Sequence, residues 1–533
     1  MKKILVAATA AFVFLTTGCS GFLDEELKSS LAPNNTYTSS YGFEVGVTGL
    51  YAYARAEYNT WGGSASSHGQ ACPYEALQVA TDIVVTGHKD GSLVPFENLS
   101  YSPSTTFVNS YWNWAYGLIS SANELLEKSD NPDVKWDKAT DKSLFQAEAR
   151  FFRAYAYRSL VYLYGDVPYV DKIEKSFRID FTRTAKAEVL GKMIDDLKFA
   201  AQYLPENPDK VQTGKLTTWA ARHLLSEVYL MAAKYPEAET VAKEVIASGN
   251  YQLMNARFGA NKDKAGDPFS DMFLEYNQNR TSGNKESIWV MQLEYNTTGG
   301  GGEYEDWTKR AWVPKYYNLN GFTLADTLGG RGLAQIVPMK WWINDANFFE
   351  EGDIRNSEYS IKRDWYYNNP AVADKYGKKA EITNATWAAG TLFPAVTKYF
   401  YGKSDNLSYG GNNKDRMKFR LAETYLLLAE AHLMQNHKKE AADAINEVRK
   451  RSHAPLIDES QASVDFLLDE RIRELIGEES RRFTLVRFGK LKERTLKYNP
   501  NTQNMEDYHA LWPIPQTIID SNTGAEFPQN QGY

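Results

Sequence analysis

The 533-residue chain is 43% hydrophobic, enough for a large buried core, and 14% aromatic, with 34 Tyr and 13 Trp. Its formal net charge of −7, or −9 without Lys2 and Lys3, gives no basis for nucleic acid or anionic lipid as a partner. Beyond the first 18 residues no run is apolar enough to span a bilayer.

Lys2 and Lys3 form a positive n-region, Ile4 to Leu15 an apolar h-region, and Thr16-Thr17-Gly18 supplies small residues before Cys19. Residues 1–18 therefore read as a secretory signal, too short and wrongly flanked for a permanent membrane span. A cysteine at this place resembles a bacterial lipoprotein signal, in which the thiol is acylated and becomes the first mature residue. Leu15 stands one place upstream of the usual lipobox leucine. With Cys19 lipidated, Cys72 has no partner and the mature chain has no disulfide; a Cys19–Cys72 bond is the alternative. Asp24, Glu25 and Glu26 open a polar tract, so residues 19–40 are expected to be a tether.

Helical periodicity runs through Phe107–Leu126, Leu144–Tyr164, Val189–Leu204, Leu216–Ile246, Phe419–Val448 and Val464–Gly477. In the densest stretch Phe152, Tyr155, Leu160 and Leu163 share one side, while Arg150, Arg153 and Arg158 are spaced to face polar partners. Gly165-Asp166-Val167-Pro168 is a stop, with glycine for the cap and proline unable to continue. Trp112 and Trp114 fall in a helical stretch and are expected in the core.

Two segments repeat without a gap. Leu224–Val245 and Leu427–Val448 share nine identities in 22 positions, among them Glu227/Glu430 and Ala238/Ala441. Each reads as a helix, a short turn and a second helix, with small alanines where the helices approach, as tetratricopeptide-like pairs require. Between them, residues 251–418 lose helical signal and gain Gly, Asn and aromatics. A loop-rich insertion of this length is expected to be functional. The expected division is thus 41–250 as an N-terminal helical scaffold with early ligand loops, 251–418 as a ligand-binding insertion, and 419–533 as a C-terminal scaffold and tail.

Several segments then match one family in order. Cys19-Ser20-Gly21-Phe22-Leu23-Asp24, Ala147-Glu148-Ala149-Arg150-Phe151-Phe152-Arg153-Ala154-Tyr155, Arg420-Leu421-Ala422-Glu423 and Ile445-Asn446-Glu447-Val448-Arg449 resemble SusD/RagB-type lipoproteins. So do Glu470-Arg471 through Arg481-Arg482-Phe483, Trp512-Pro513-Ile514-Pro515-Gln516 and Gln529-Asn530-Gln531-Gly532-Tyr533, with Thr484 and Gln531 departing from the usual Asp and Pro. The resemblance implies a mainly α fold, a tetratricopeptide-like scaffold carrying a loop-rich insertion. It also implies an outer-membrane, surface-exposed lipoprotein that binds glycan and delivers it to a SusC-like TonB-dependent transporter. No cofactor is implied, and a peptide ligand is the alternative on the RagB side of the family.

Sugars present apolar C–H faces rimmed by hydroxyls, so a site needs aromatic platforms beside polar side chains. Tyr58-Asn59-Thr60-Trp61 before Gly62-Gly63, and Tyr304-Glu305-Asp306-Trp307 through Arg310 and Trp312 after the Gly299–Gly302 run, fit that need. Phe96, in the early loop, is a further candidate. The ligand-binding set is therefore Tyr58, Trp61, Phe96, Tyr304, Trp307, Arg310 and Trp312. No zinc-protease, nucleophile-elbow or P-loop motif is present, and seven histidines are scattered without ligand spacing. No catalytic residue or metal ligand is expected; a glycosidase using Glu294, Glu303, Glu305 or Asp306 is the remaining enzymatic reading. Asn261-x-Asp263-x-x-Gly266 echoes a calcium loop but lacks ligands at Ala265 and Met272. Glu478-Glu479 with Arg481-Arg482 reads as a local ion-pair network.

Overall fold

The computed structural model describes residues 36–59, 71–87, 92–174, 176–300, 306–345 and 347–533. The signal segment and Cys19 lie outside the described residues. The body is carried by α1 (Ser40–Arg55), α2 (Thr106–Ser129), α3 (Asp141–Tyr164), α4 (Lys186–Tyr203), α5 (Thr218–Met231) and α6 (Tyr235–Ala247). After the insertion come α7 (Leu421–Met434), α8 (Lys438–Arg451), α9 (Val464–Leu475), α10 (Arg481–Arg487) and α11 (Leu491–Tyr498). From α2 to α8 each helix packs on the next, and α6 packs on α7 across the whole insertion. The fold is the helical-pair scaffold that the periodicity predicts.

Helix α1 had no counterpart among the expected helices, because Gly42, Gly46 and Gly49 weaken its helical signal. Gly42 is needed: a Cβ there would fall 1.6 Å from the Thr36 carbonyl oxygen, which lies against the helix. Helix α3 is central. Every residue from Phe151 to Tyr164 is buried, not one side alone, because α1, α2, α4 and strand β2 surround it. Its arginines find carboxylates across those contacts: Arg153 forks onto Asp196 of α4 at 2.7 and 2.8 Å, and Arg158 onto Glu227 of α5 at 2.7 and 2.9 Å. Gly165 ends the helix at φ +74°. Trp112 and Trp114 are buried.

The repeat extends to backbone and charge. Ala233 and Asn436, equivalent turn positions, both take left-handed φ of 55° and 60°. Ala238 and Ala441 are fully buried. The equivalent glutamates, Glu227 and Glu430, both meet Arg487 of α10, at 3.3 and 2.6 Å.

Among the described residues six short strands tie the insertion down: β1 (Val84–Thr86), β2 (Ser287–Met291), β3 (Ile336–Pro338), β4 (Ile361–Lys362), β5 (Ala395–Val396) and β6 (Arg416–Arg420). They form antiparallel pairs β1–β3, β2–β6 and β4–β5. The β2–β6 pair closes the neck of the insertion, and Trp289 of β2 packs on Phe151, Phe152 and Tyr155. A buried charge network seals the junction. Arg420 reaches Glu286 at 2.8 Å, Glu474 at 2.5 Å and Glu478 at 2.7 Å, while Arg355 binds Glu470 at 2.7 Å and Asp353 at 2.8 Å. Burial alone would raise the Glu470 carboxyl, but Arg355, Arg473 and Arg449 overcome it and hold it at about 2. The Glu478–Arg482 run is therefore not the local network its sequence suggests. Arg481 forks onto Asp82 at 2.7 and 2.8 Å, and only the Glu479–Arg481 contact at 3.3 Å is local. Glu478 and Glu479 instead meet distant or flanking cations, Lys398 and Arg420 for the first and Arg471 for the second.

Candidate functional site

The segments expected to hold ligand leave the body from one frame. The Tyr58 ring lies under the Arg416 guanidinium, whose carbon is 3.8 Å from the ring centroid, and Arg416 Nη2 is 2.5 Å from Asp306 Oδ2. Tyr58 and Asp306, which flank residues 60–70 and 301–305, thus share one arginine. The third flank joins them through the backbone. Gly87 N–H donates to the Gln335 carbonyl (3.1 Å), Leu333 N–H to Arg310 (2.8 Å) and Ala334 N–H to Val313 (3.0 Å).

Within this frame the expected ligand residues fare differently. Trp61 and Tyr304 lie outside the described residues. Tyr58, Phe96, Trp307, Arg310 and Trp312 are buried, which corrects the expectation of exposed platforms at these positions. Trp312 stacks on Tyr399 at 5.4 Å, and the Arg310 guanidinium covers the Trp307 ring at 4.1 Å. Arg310 also presses on Gly410, where a Cβ would fall 1.7 Å from its Nη2. Phe96 belongs elsewhere, stacked on Tyr101 at 5.0 Å and against Trp512 at 4.9 Å beneath the C-terminal tail. For Trp307 and Trp312 the reason lies in the insertion itself, which has few ladders and little repetitive backbone to pack, so large aromatic side chains fill its interior.

One exposed aromatic, Tyr276, lies near the foot of the glycine run, where Tyr295 is half-buried and Tyr401 and Tyr409 are buried. Glu294 N–H donates to the Gly300 carbonyl at 3.1 Å, so Tyr295 sits where that run returns. Tyr295 meets Tyr409 edge-on at 5.0 Å, and Lys403 Nζ lies 5.0 and 5.1 Å from the Tyr295 and Tyr401 rings. Lys403 is fixed by Glu275 at 2.7 Å. Beside it Tyr276 is 59% exposed and holds a left-handed φ of 71°. Burial, then Glu275, Tyr409, Tyr276 and Tyr295, raise the Tyr401 phenol, so it stays protonated. Lys309 Nζ donates to the Tyr409 carbonyl at 2.6 Å, which joins this tyrosine face to the frame. Sequence reasoning missed these residues because they come from segments far apart in the chain. A second exposed pair, Tyr366 at 48% and Tyr376 at 56%, lies on the turn around Lys378.

Beneath the frame are groups whose chemistry is perturbed but enclosed. Glu75 is fully buried with no hydrogen-bond partner for either carboxylate oxygen, and burial pushes it up to about 8 against the pull of Arg416. Burial also brings Lys414 down to about 7 and Lys398 down to about 8. Lys414 donates to the Phe273 and Lys398 carbonyls at 2.8 and 2.7 Å. The cavity that Lys414 lines with Asp306, Tyr399 and Glu478 holds about 40 Å³, room for water and not for a sugar ring. Asp306 is held by Arg416 and by Thr308, whose N–H and hydroxyl donate at 2.9 and 2.6 Å, leaving no free carboxylate for acid–base work. The calcium-like loop is filled by a cation of the chain: Arg257 donates to the Asn261 and Lys264 carbonyls at 2.9 and 2.7 Å. A ligand-sized cleft of about 930 Å³ opens between α2, α3, α4 and residues 169–176, but Tyr169 is its single aromatic and the rest is mostly charged.

Two family models match the chain: "SusD family" over residues 285–533 and "Starch-binding associating with outer membrane" over residues 59–230. The chain belongs to the SusD/RagB family. A SusD-like protein of Formosa agariphila is 24% identical, with 98% of this chain and 97% of the relative covered. The starch-binding protein SusD of Bacteroides thetaiotaomicron is 23% identical, covering 86% of this chain and 85% of its own. Among solved structures, surface glycan-binding protein A of Bacteroides thetaiotaomicron in complex with laminarihexaose shares the fold. Its TM-score is 0.70 at 19% identity, covering 92% of this chain and all of the other. As a SusD/RagB member the chain carries both matched regions on one scaffold, and their boundary falls inside the helical body and the insertion. Among the described residues no helix is long and apolar enough to cross a membrane.

Proposed function

We propose that this SusD/RagB chain is a surface-exposed outer-membrane lipoprotein that binds an oligo- or polysaccharide and delivers it to a SusC-like TonB-dependent transporter. Acylated Cys19 and the tether of residues 19–40 hold the body to the lipid. Residues 41–250 and 419–533 serve as scaffold, and 251–418 with the early loops carries ligand. The observation that carries this reading is the tyrosine face at the foot of the glycine run. The exposed Tyr276 and the half-buried Tyr295 stand beside the Lys403–Glu275 pair, with the buried Tyr401 and Tyr409 rings packed behind, so apolar rings lie next to charged donors and acceptors, the complement of a sugar. Tyr276 keeps its ring outward at the cost of a left-handed backbone, a strain that functional positions tolerate. The wording of the family models and the names of the relatives support the glycan class. The reading is non-catalytic: of the carboxylates a glycosidase would use, Asp306 is tied to Arg416, and the names of the relatives describe binding proteins.

The test is calorimetric titration of residues 20–533, freed of the lipid signal, with a panel of plant, host and microbial glycans and product analysis of each mixture. Saturable binding of a glycan, weakened at least about tenfold by Tyr276→Ala or Trp61→Ala with no product released, is expected. Cleavage of the glycan, or binding of peptide fragments and of no glycan, overturns the proposal.

A further inference from the structure

The second helical pair departs from the first at its turn. His432 and His437 stand where the first pair has Tyr229 and Lys234, and Glu239 of α6 stands where the second has Ala442. The turn itself does not ask for histidine. Lys234 and His437 share one backbone conformation, φ −95°, ψ 69° and φ −88°, ψ 70°, and neither side chain makes a capping bond. Although read as scattered in the sequence, these two of the seven histidines meet in the structure, with ring centroids 6.0 Å apart.

His432 is 3% exposed, and its Nδ1 has no hydrogen-bond partner. A buried polar nitrogen left in this way costs free energy unless another role compensates it. That Nδ1 faces Glu239 Oε2 at 3.6 Å. The carboxylate is already aimed: Lys243 Nζ holds Oε1 at 2.5 Å and Gln435 Nε2 donates to Oε2 at 2.8 Å. One donor atom from each of Glu239, His432 and His437 lies within 4.8 Å of the others. Tetrahedral zinc, with bonds near 2.0–2.2 Å, sets its ligand atoms roughly 3.4 Å apart. The His432–Glu239 pair is at that separation, and the exposed His437 side chain closes the remainder by rotating.

We propose that Glu239, His432 and His437 form a site for a borderline-soft divalent metal of the zinc type, which staples the first helical pair to the second. Two imidazoles and one carboxylate favour zinc over calcium or magnesium, which take oxygen ligands. Lys243 is the opposing charge, and it also orients the carboxylate from its far oxygen. Because His437 faces solvent, the fourth position is open to water or to a donor from a partner.

The test uses residues 20–533 without a histidine tag, stripped by chelator and dialysed against zinc or calcium, with bound metal counted by mass spectrometry and Tm measured. One zinc per chain and a Tm raised by zinc and not by calcium are expected. His437→Ala, at an exposed position, and Glu239→Gln should each weaken zinc at least about tenfold. The proposal is overturned by substoichiometric zinc at saturating concentration, by equal stabilisation from calcium, or by unchanged zinc affinity in both variants. None of these outcomes bears on glycan binding.

Discussion

The helical scaffold and the insertion solve burial in opposite ways. In the scaffold, helices satisfy their own backbone, so side chains at fixed spacing are free to pair charges: Arg153 with Asp196, Arg158 with Glu227, Arg487 with Glu430. In the insertion, backbone groups find partners across irregular loops, and the interior is filled by Trp307, Trp312, Trp342 and Trp365. The difference teaches that aromatic density marks the core of a loop-rich region. The binding signal there is the rarer exposed ring, such as Tyr276, set beside fixed charges.

The comparison is broken most directly at the junction. Arg420→Met removes the cation that bridges Glu286, Glu474 and Glu478, leaving Arg451 to the first two and Lys398 to the third, and is expected to cost about 3–5 kcal/mol in urea unfolding. A loss below about 1 kcal/mol would mean that the buried charges do not hold the scaffold to the insertion. Within the insertion, Trp365→Ala removes a ring stacked on Tyr316 at 5.6 Å and should cost about 3–4 kcal/mol. Helical circular dichroism should survive below that transition if the scaffold stands alone.

Glu75 sharpens the contrast through pH. Its folded value of about 8 lies above the ordinary 4.5, so the folded chain holds more protons between those values and stability falls as pH rises through that window. Glu75→Gln removes the loss. The variant should gain up to about 3–4 kcal/mol on the parent between pH 5 and pH 8, read from unfolding midpoints across pH. A flat difference would show that Glu75 is not neutral in the folded chain. The smallest effect on stability is expected at the face itself: Tyr276→Ala should stay within about 0.5 kcal/mol while glycan affinity drops. A fall in stability without a change in affinity would return Tyr276 to the packing residues.

The amino-acid pattern by itself determined the helical pairs, their repeat, the stop at Gly165 and the turning of Arg150, Arg153 and Arg158 toward polar surroundings, though not which carboxylates meet them, because period, caps and charge spacing are local properties that a helix translates directly into position. It also carried the family, through motifs spread along the chain. Which aromatics are exposed was decided only by tertiary structure. Tyr58 and Trp307 look like platforms in sequence, yet Arg416 and Arg310 lie over their rings. Tyr276 and Tyr295 look unremarkable until loops far apart in sequence meet around Lys403 and Glu275. The same holds for Glu239 and His432, brought together by α6 packing on α7. Burial and encounter depend on which distant segments pack together, and no local spacing records that.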